Sequence, residues 1–221
     1  MVKSTAKKSS TPQLHDHGKD FFGYDLLEAS NRGKISERIF HKDRVRMWMR
    51  ATKYQGKKVL DVGCNTGILL IPLAKKKVDV IGIDNNPSDI KKTKENLLLE
   101  GLSTKIAIIA DARKLPFPNN TFDVVLLSDI LEHSSDPKKV AKESLRVVKK
   151  GGIILATVPY FLHPVVKYPR IRKILSGRKN IDEYPDIPFT FKKLKSHFPG
   201  TTVKEKKLVY FWSSILGIFE K

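Results

Sequence analysis

Lys58-Val59-Leu60-Asp61-Val62-Gly63-Cys64-Asn65-Thr66-Gly67-Ile68-Leu69-Leu70 is the stretch whose reading decides the fold. Val59 to Val62 is a short apolar run that stops at glycine, and a second apolar run follows Gly67. The pattern predicts a buried strand, a tight loop and the start of a helix. Glycine lets such a loop turn through positive φ and lets a ligand approach bare backbone. A helix start offers free N–H groups and a positive dipole end, which suit an anionic group. On its own the stretch also reads as an ordinary strand–helix turn.

Downstream of the loop, strands and helices alternate. Strands are expected at Val78–Ile83, ending in Asp84; at Lys105–Ala110, ending in Asp111; at Phe122–Leu127, ending in Ser128-Asp129; and at Ile153–Val158, ending in Pro159. Helices are expected over Thr66–Lys76, where Pro72 should kink or shorten the element, over Pro87–Glu100, and over Asp136–Lys149 with Gly151-Gly152 closing it. The strands are continuous apolar runs, the mark of a parallel sheet covered on both faces. Their alternation with helices predicts an α/β, doubly wound, Rossmann-like sheet with helices on both faces.

Upstream, residues 1–20 read as a disordered basic tail and residues 21–58 as an N-terminal helical cap. His15 and His17 lack further ligands for a metal, and no metal site is expected. Phe21-Phe22-Gly23-Tyr24 is an aromatic cluster suited to packing or to a lid. Ile35–Thr52 predicts an amphipathic helix with Ile35, Ile39, Val45, Met47 and Trp48 inward, and with Arg38, Lys42, Arg44, Arg46 and Arg50 on a solvated basic face. The catalytic-type domain is expected over 59–221, with a basic insertion at 160–188. Phe189–Phe198 predicts a helix, and Thr202–Trp212 and Ile215–Glu220 predict two strands. A short amphipathic helix meeting a membrane or partner is the alternative for the last segment.

The 221 residues carry a net charge of +19. Residues 1–58 hold 14 Lys and Arg against 6 Asp and Glu, residues 59–158 hold 15 against 12, and residues 159–221 hold 13 against 5. The flanks are therefore the basic parts, suited to nucleic acid, an anionic surface or an acidic substrate. Cys64 is the sole cysteine, so neither an intramolecular disulfide nor a cysteine-based zinc site is available. With no secretory signal and no apolar run near the roughly 18 residues of a spanning helix, a cytoplasmic location is expected, peripheral at an anionic surface if the basic flanks act there.

Ligands of open α/β sheets bind beyond the carboxyl ends of the strands. Asp61, Asp84, Asp111 and Ser128-Asp129 all fall there. An acid after the second strand, about 20 residues beyond the loop, can accept both ribose hydroxyls, and Asp111 can accept from an adenine amino group. A helix cap or turn is the rival role for each carboxylate. Gly63-x-x-x-Gly67 places Asn65 and Ile68 where a dinucleotide fingerprint has glycine, and a Lys-Ser/Thr pair is missing, which excludes a P-loop. A cofactor with ribose, adenine and a zwitterionic tail fits better.

The sequence resembles class I S-adenosylmethionine-dependent methyltransferases, of the type-11 kind that includes ubiquinone/menaquinone-biosynthesis-like enzymes. The resemblance spans Lys57 to Pro159. It rests on Val59–Gly67, Gly82-Ile83-Asp84, Asp111-Ala112 with Leu115-Pro116-Phe117, Phe122-Asp123-Val124-Val125, Leu131-Glu132-His133, Arg146 to Gly152, and Val158-Pro159. It implies a mostly parallel seven-stranded sheet whose last strand, Ile215–Glu220, is antiparallel. It implies S-adenosyl-L-methionine as methyl donor, with Asp61, Gly63, Cys64, Asn65 and Gly67 around the methionine part. Asp84 and Asn85 then serve the ribose, Asp111 and Ala112 the adenine, and Ser128 completes the set. Asn65 stands where the family usually has glycine; asparagine tolerates left-handed backbone. Cys64 is read as a passive loop residue.

The expected function is methyl transfer to a small or lipid-linked acceptor, with His133 at the rim as a candidate general base. Ser128–His133 lacks the Asn/Asp-Pro-Pro-Tyr/Phe signature of exocyclic-amine methylation. A methyltransferase acting on RNA or protein through the basic flanks is the first alternative, and a cofactor-binding protein without turnover is the second.

Overall fold

The computed structural model describes residues 35–160, 189–210 and 214–221. The tail, the His15/His17 pair, the Phe21–Tyr24 cluster and nearly all of the 160–188 insertion lie outside those residues.

Seven strands form one sheet: β1 Lys58–Val62, β2 Asp79–Asp84, β3 Ala107–Ile109, β4 Phe122–Ser128, β5 Val148–Pro159, β6 Thr202–Val209 and β7 Ser214–Glu220. Their order is β3-β2-β1-β4-β5-β7-β6. The first five are mutually parallel, and β7 runs antiparallel between β5 and β6. The chain order reverses between β1 and β4, so the carboxyl ends of those strands flank the switch point where a ligand cleft forms.

The described helices are α1 Ile35–Arg50, α2 Leu70–Lys75, α3 Pro87–Leu99, α4 Pro137–Val147 and α5 Phe191–Ser196. Two apolar cores lie on opposite faces of the sheet. One gathers Trp48 of α1, Leu70 and Leu73 of α2, and Ile90 and Leu97 of α3 against Val59, Val80 and Val124. The other gathers Val140 and Ala141 of α4 and Leu194 of α5 against Leu60, Val62, Val125 and Phe219. Odd and even positions of each strand feed different cores, which is why the runs read as continuously apolar.

Local chemistry sets the element ends. Pro72 sits in the first turn of α2, where a missing N–H costs little. The proline shortens the helix from its expected start at Thr66 to Leu70 rather than kinking it. Asn86 caps α3 by accepting the Ser88 amide, and Asp136 caps α4 by accepting that of Lys139.

Several expectations are corrected. Ile39 is 55% exposed, not inward, because α1 turns His41, Arg44 and Trp48 toward the sheet. Arg44 accordingly leaves the solvated basic face. Gly151 and Gly152 belong to β5 rather than to a helix stop, since α4 already ends at Val147 and Gly151 turns through a φ of 73°. Lys105-Ile106 form part of a 3₁₀ turn, which leaves β3 shorter than expected. The last segment is a buried strand paired on both sides, so the amphipathic-helix alternative fails.

Candidate active site

The loop after β1 closes back on β2. The amides of Gly63 and Cys64 both donate to the Ile83 carbonyl, at 2.8 and 2.9 Å. Gly63 and Gly67 have φ of 74° and 94°, and Asn65 takes the same left-handed region at 46°. Asparagine serves there because its side chain supplies local bonds: Oδ1 accepts the Thr66 amide at 2.7 Å. The Asn65 carbonyl accepts the Thr93 hydroxyl of α3, and Asn96 Nδ2 donates to the Thr66 carbonyl at 3.0 Å. The loop is thus braced against α3, and its shape does not depend on glycine alone.

Asp84 ends β2 facing this loop. Its Oδ2 accepts the Asn65 amide at 3.1 Å and its Oδ1 the Asn86 amide at 2.9 Å. The helix cap itself is Asn86, so Asp84 ties the loop to the β2 exit and is not the cap. Burial raises the Asp84 carboxyl above its usual range, against these backbone bonds. Each oxygen keeps a lone pair for a further donor, which is what two ribose hydroxyls would supply. Asn85 is exposed beside it.

Asp111 lies beyond β3, near Asp84: the Ala110 amide donates to the Asp84 carbonyl at 2.9 Å. Its carboxylate is held by Arg113, with Nε at 3.0 and 3.1 Å and Nη2 at 2.8 Å, while Arg113 Nη1 reaches Ser135 at 2.7 Å. These bonds hold Asp111 below the usual carboxylate range. Ala112 is partly buried against the second core. Cys64 is buried, and burial pushes its thiol up. A Cβ added at Gly82 would lie 3.0 Å from its sulfur, so Cys64 fills the space above that glycine.

The β1 and β4 ends are different in kind. Asp61 is buried, and desolvation lifts its carboxyl to about 7 against the opposing charge of Arg44, with Asp84 adding to the rise. Ser128 ends β4, and its hydroxyl accepts Arg44 Nη2 at 2.7 Å. The same nitrogen lies 3.0 Å from Asp129 Oδ2. Asp129 has a φ of 52°, and its amide is held by the Thr157 carbonyl of β5 at 3.2 Å. Glu132 follows in a 3₁₀ turn, Leu131–His133, and is buried, whereas His133 at the end of that turn is exposed. Neither Arg44 nor Glu132 was read as a site residue from the sequence. The available signal was helical spacing: Arg44 shares a face with Trp48 four residues on and His41 three residues back.

The donor set fits S-adenosylmethionine. Glycine at 63 leaves room that a Cβ would take 2.8 Å from Ile130. Oδ2 of Asp61 is buried with no hydrogen-bond partner, an acceptor suited to an ammonium. Among the described residues no cluster of His, Cys, Asp or Glu could hold a metal ion. Nor is any described helix long and apolar enough to cross a membrane.

Known proteins agree with this geometry. The methyltransferase domain family matches residues 60–156. A ubiquinone/menaquinone biosynthesis C-methyltransferase of Azotobacter vinelandii is 29% identical over 157 residues, 61% of this chain and 62% of that protein. A ubiquinone biosynthesis O-methyltransferase of Aliivibrio fischeri is 38% identical over 99 residues, 44% of this chain and 42% of that one. The chain spans 49% of a rice 2-methyl-6-phytyl-1,4-hydroquinone methyltransferase, so it covers less than two thirds of such curated relatives. A Pyrococcus horikoshii protein of known structure superposes with a TM-score of 0.71 at 21% identity, over 92% of this chain and 99% of that one. A likeness at that identity shows the fold alone. Over residues 60–156 the chain thus carries a methyltransferase domain, and along that segment it is similar to S-adenosylmethionine-dependent enzymes of the type-11 branch.

Proposed function

We propose that this chain transfers a methyl group from S-adenosylmethionine to a small or lipid-linked acceptor. The observation that carries the reading is Asp84, fixed by the Asn65 and Asn86 amides at the mouth of the glycine loop. In this reading the bare backbone from Gly63 to Gly67 and the buried Asp61 hold the methionine end. Asp84 and Asn85 hold the ribose, Asp111 and Ala112 border the adenine, and Ser128 completes the cofactor set. The bound sulfonium supplies an already activated methyl group, so the protein's share is alignment and proton handling. In this reading His133, exposed at the end of the turn after β4, takes a proton from an acceptor hydroxyl or amine and passes it to water.

Support for the acceptor class comes from relatives named for quinone-type and sterol substrates. Calorimetry with S-adenosylmethionine tests the donor: binding by the wild type and its loss in Asp84→Ala are expected, and unchanged binding in that variant would sink the ribose assignment. Transfer of labelled methyl into fractionated extract identifies the acceptor. Label in RNA or protein with steep salt dependence would favour the polyanion alternative.

A further inference from the structure

β6 is the outermost strand on the β7 side of the sheet, and α5 lies beside it. Over residues 189–210 and 214–221 seven lysines stand against two glutamates, whereas residues 59–158 are nearly balanced. Lys192, Lys193 and Lys195 of α5 and Lys204, Lys206 and Lys207 of β6 are all exposed. Lys206 Nζ lies 5.2 Å from the centre of the Phe191 ring, which joins strand and helix into one basic face. Glu205 and Glu220 pair with Lys207 and Lys204, at 2.6 and 3.1 Å, and leave the cations in excess.

Lysines on an edge strand guard against pairing with another chain. That role does not cover Lys192 and Lys195, which sit on the helix. Nor is it a general device of this sheet: the opposite edge, β3, consists of Ala107, Ile108 and an exposed Ile109. The β6 face also ends in an apolar side chain, Leu208, which is 42% exposed. Leu208 pairs with Ile215, and Ile215 with Val158 at the carboxyl end of β5. Ser128 of β4 pairs with Thr157, the residue before Val158. The basic face therefore reaches the level of the cleft, three strand spacings or roughly 14 Å from Ser128.

The chemistry of the face selects its partner. Its cations are all lysines, which lack the planar fork that grips a phosphate from two sides. Its rings are not open to stacking bases: Phe189 is buried with Lys193 Nζ 5.4 Å from its centre, and Lys206 covers Phe191. Lysine stems beside an exposed leucine match an anionic bilayer instead, where the ammonium groups meet lipid phosphates and the apolar parts reach the acyl boundary.

We propose that α5 and the β6 edge dock this domain onto an anionic bilayer, with the cleft brought to a lipid-linked acceptor held there. The inference rests on the methyltransferase reading given above and names where that acceptor is met.

Co-sedimentation of the full chain with vesicles of phosphatidylcholine, with and without about 30 mol% phosphatidylglycerol, tests this. The wild type should bind the anionic vesicles and not the neutral ones. Lys192→Glu, Lys195→Glu and Lys206→Glu combined should weaken that binding at least about tenfold, since each lysine near an anionic surface adds to the attraction. Lys91→Glu, Lys94→Glu and Lys105→Glu make the same charge change on exposed residues at the far edge of the sheet and should alter it by less than about threefold. Leu208→Ser changes no charge and should weaken it about threefold. Equal losses in the two triple variants, or full binding by the first of them, would overturn the proposal. So would tighter binding to a single-stranded RNA than to the vesicles, lost in the first triple variant, which would give the face to a polynucleotide. Calorimetry with S-adenosylmethionine keeps the two readings apart. A wild type that binds the donor but not the anionic vesicles overturns the docking surface alone; one that binds the vesicles but not the donor overturns the cofactor reading and leaves the surface standing.

Discussion

The two carboxylate groups of the cleft obey different rules. At the β2 exit, Asp84 has a backbone amide on each oxygen, and the neighbouring loop is laced to α3. At the β4 exit, Glu132 is buried and Asp129 half-buried, three of their four oxygens have no hydrogen-bond partner, and Arg44 is the cation that pairs with Asp129. The first arrangement is made by local sequence and fixes a shape. The second is made by residues far apart in the chain, Arg44 and Asp129. A rigid set of acceptors follows from the former; the latter depends on how α1 seats over the sheet.

The largest expected effect breaks the first region. Asp84→Ala removes two charge-assisted amide bonds and, in the proposed reading, the ribose acceptor, and should weaken S-adenosylmethionine binding by about 100-fold or more in calorimetry. Next comes the second region's cation. Arg44→Met leaves the buried Glu132 and the half-buried Asp129 without the cation beside them and should cost about 3 kcal/mol of stability in denaturant unfolding. A loss below about 1 kcal/mol would mean that the acids are not balanced by Arg44.

The pH dependence separates the regions further. Desolvation lifts Asp61 to about 7 in the folded chain, above the ordinary carboxyl value of about 4. The folded state thus holds a proton that the unfolded state has released, and stability falls as pH rises from about 4 to about 7. Asp61→Asn keeps the size and removes the titration. Its stability relative to wild type should improve across that window by roughly 1–4 kcal/mol; a flat difference between pH 4 and 7 would refute the assignment. Gly63→Ala is a smaller perturbation. The new Cβ meets the movable end of Ile130, but a φ of 74° remains strained for alanine, so a loss of about 1–2 kcal/mol is expected by thermal unfolding. Combining it with Ile130→Ala should relieve the contact and leave the backbone part. The smallest effect is the reference: Lys75→Ala breaks an exposed pair with Glu100 and should change stability by less than about 1 kcal/mol.

The chain by itself determined the fold class and the Asp84 side of the cleft, because both rest on local signals. Continuous apolar runs mark a sheet covered on two faces, and glycines with turn-forming Asn65 and Asn86 mark where the chain must bend. Asp61, Gly63, Gly67 and Asp84 could be nominated from spacing alone, since the loop and the second strand end lie within about 20 residues of each other. The tertiary structure decided the rest. Arg44 looked like one more cation on a basic helix face, and only the seating of α1 over β4 turns it inward to Ser128 and Asp129. Glu132 and His133 are neighbours in sequence, yet one is buried and the other exposed, a difference set by a 3₁₀ turn against the glycine loop. Asp111 kept its expected place but acquired Arg113 as a partner two residues away. Local pattern fixes backbone shape; the balance of buried charge depends on which distant side chains the fold brings together.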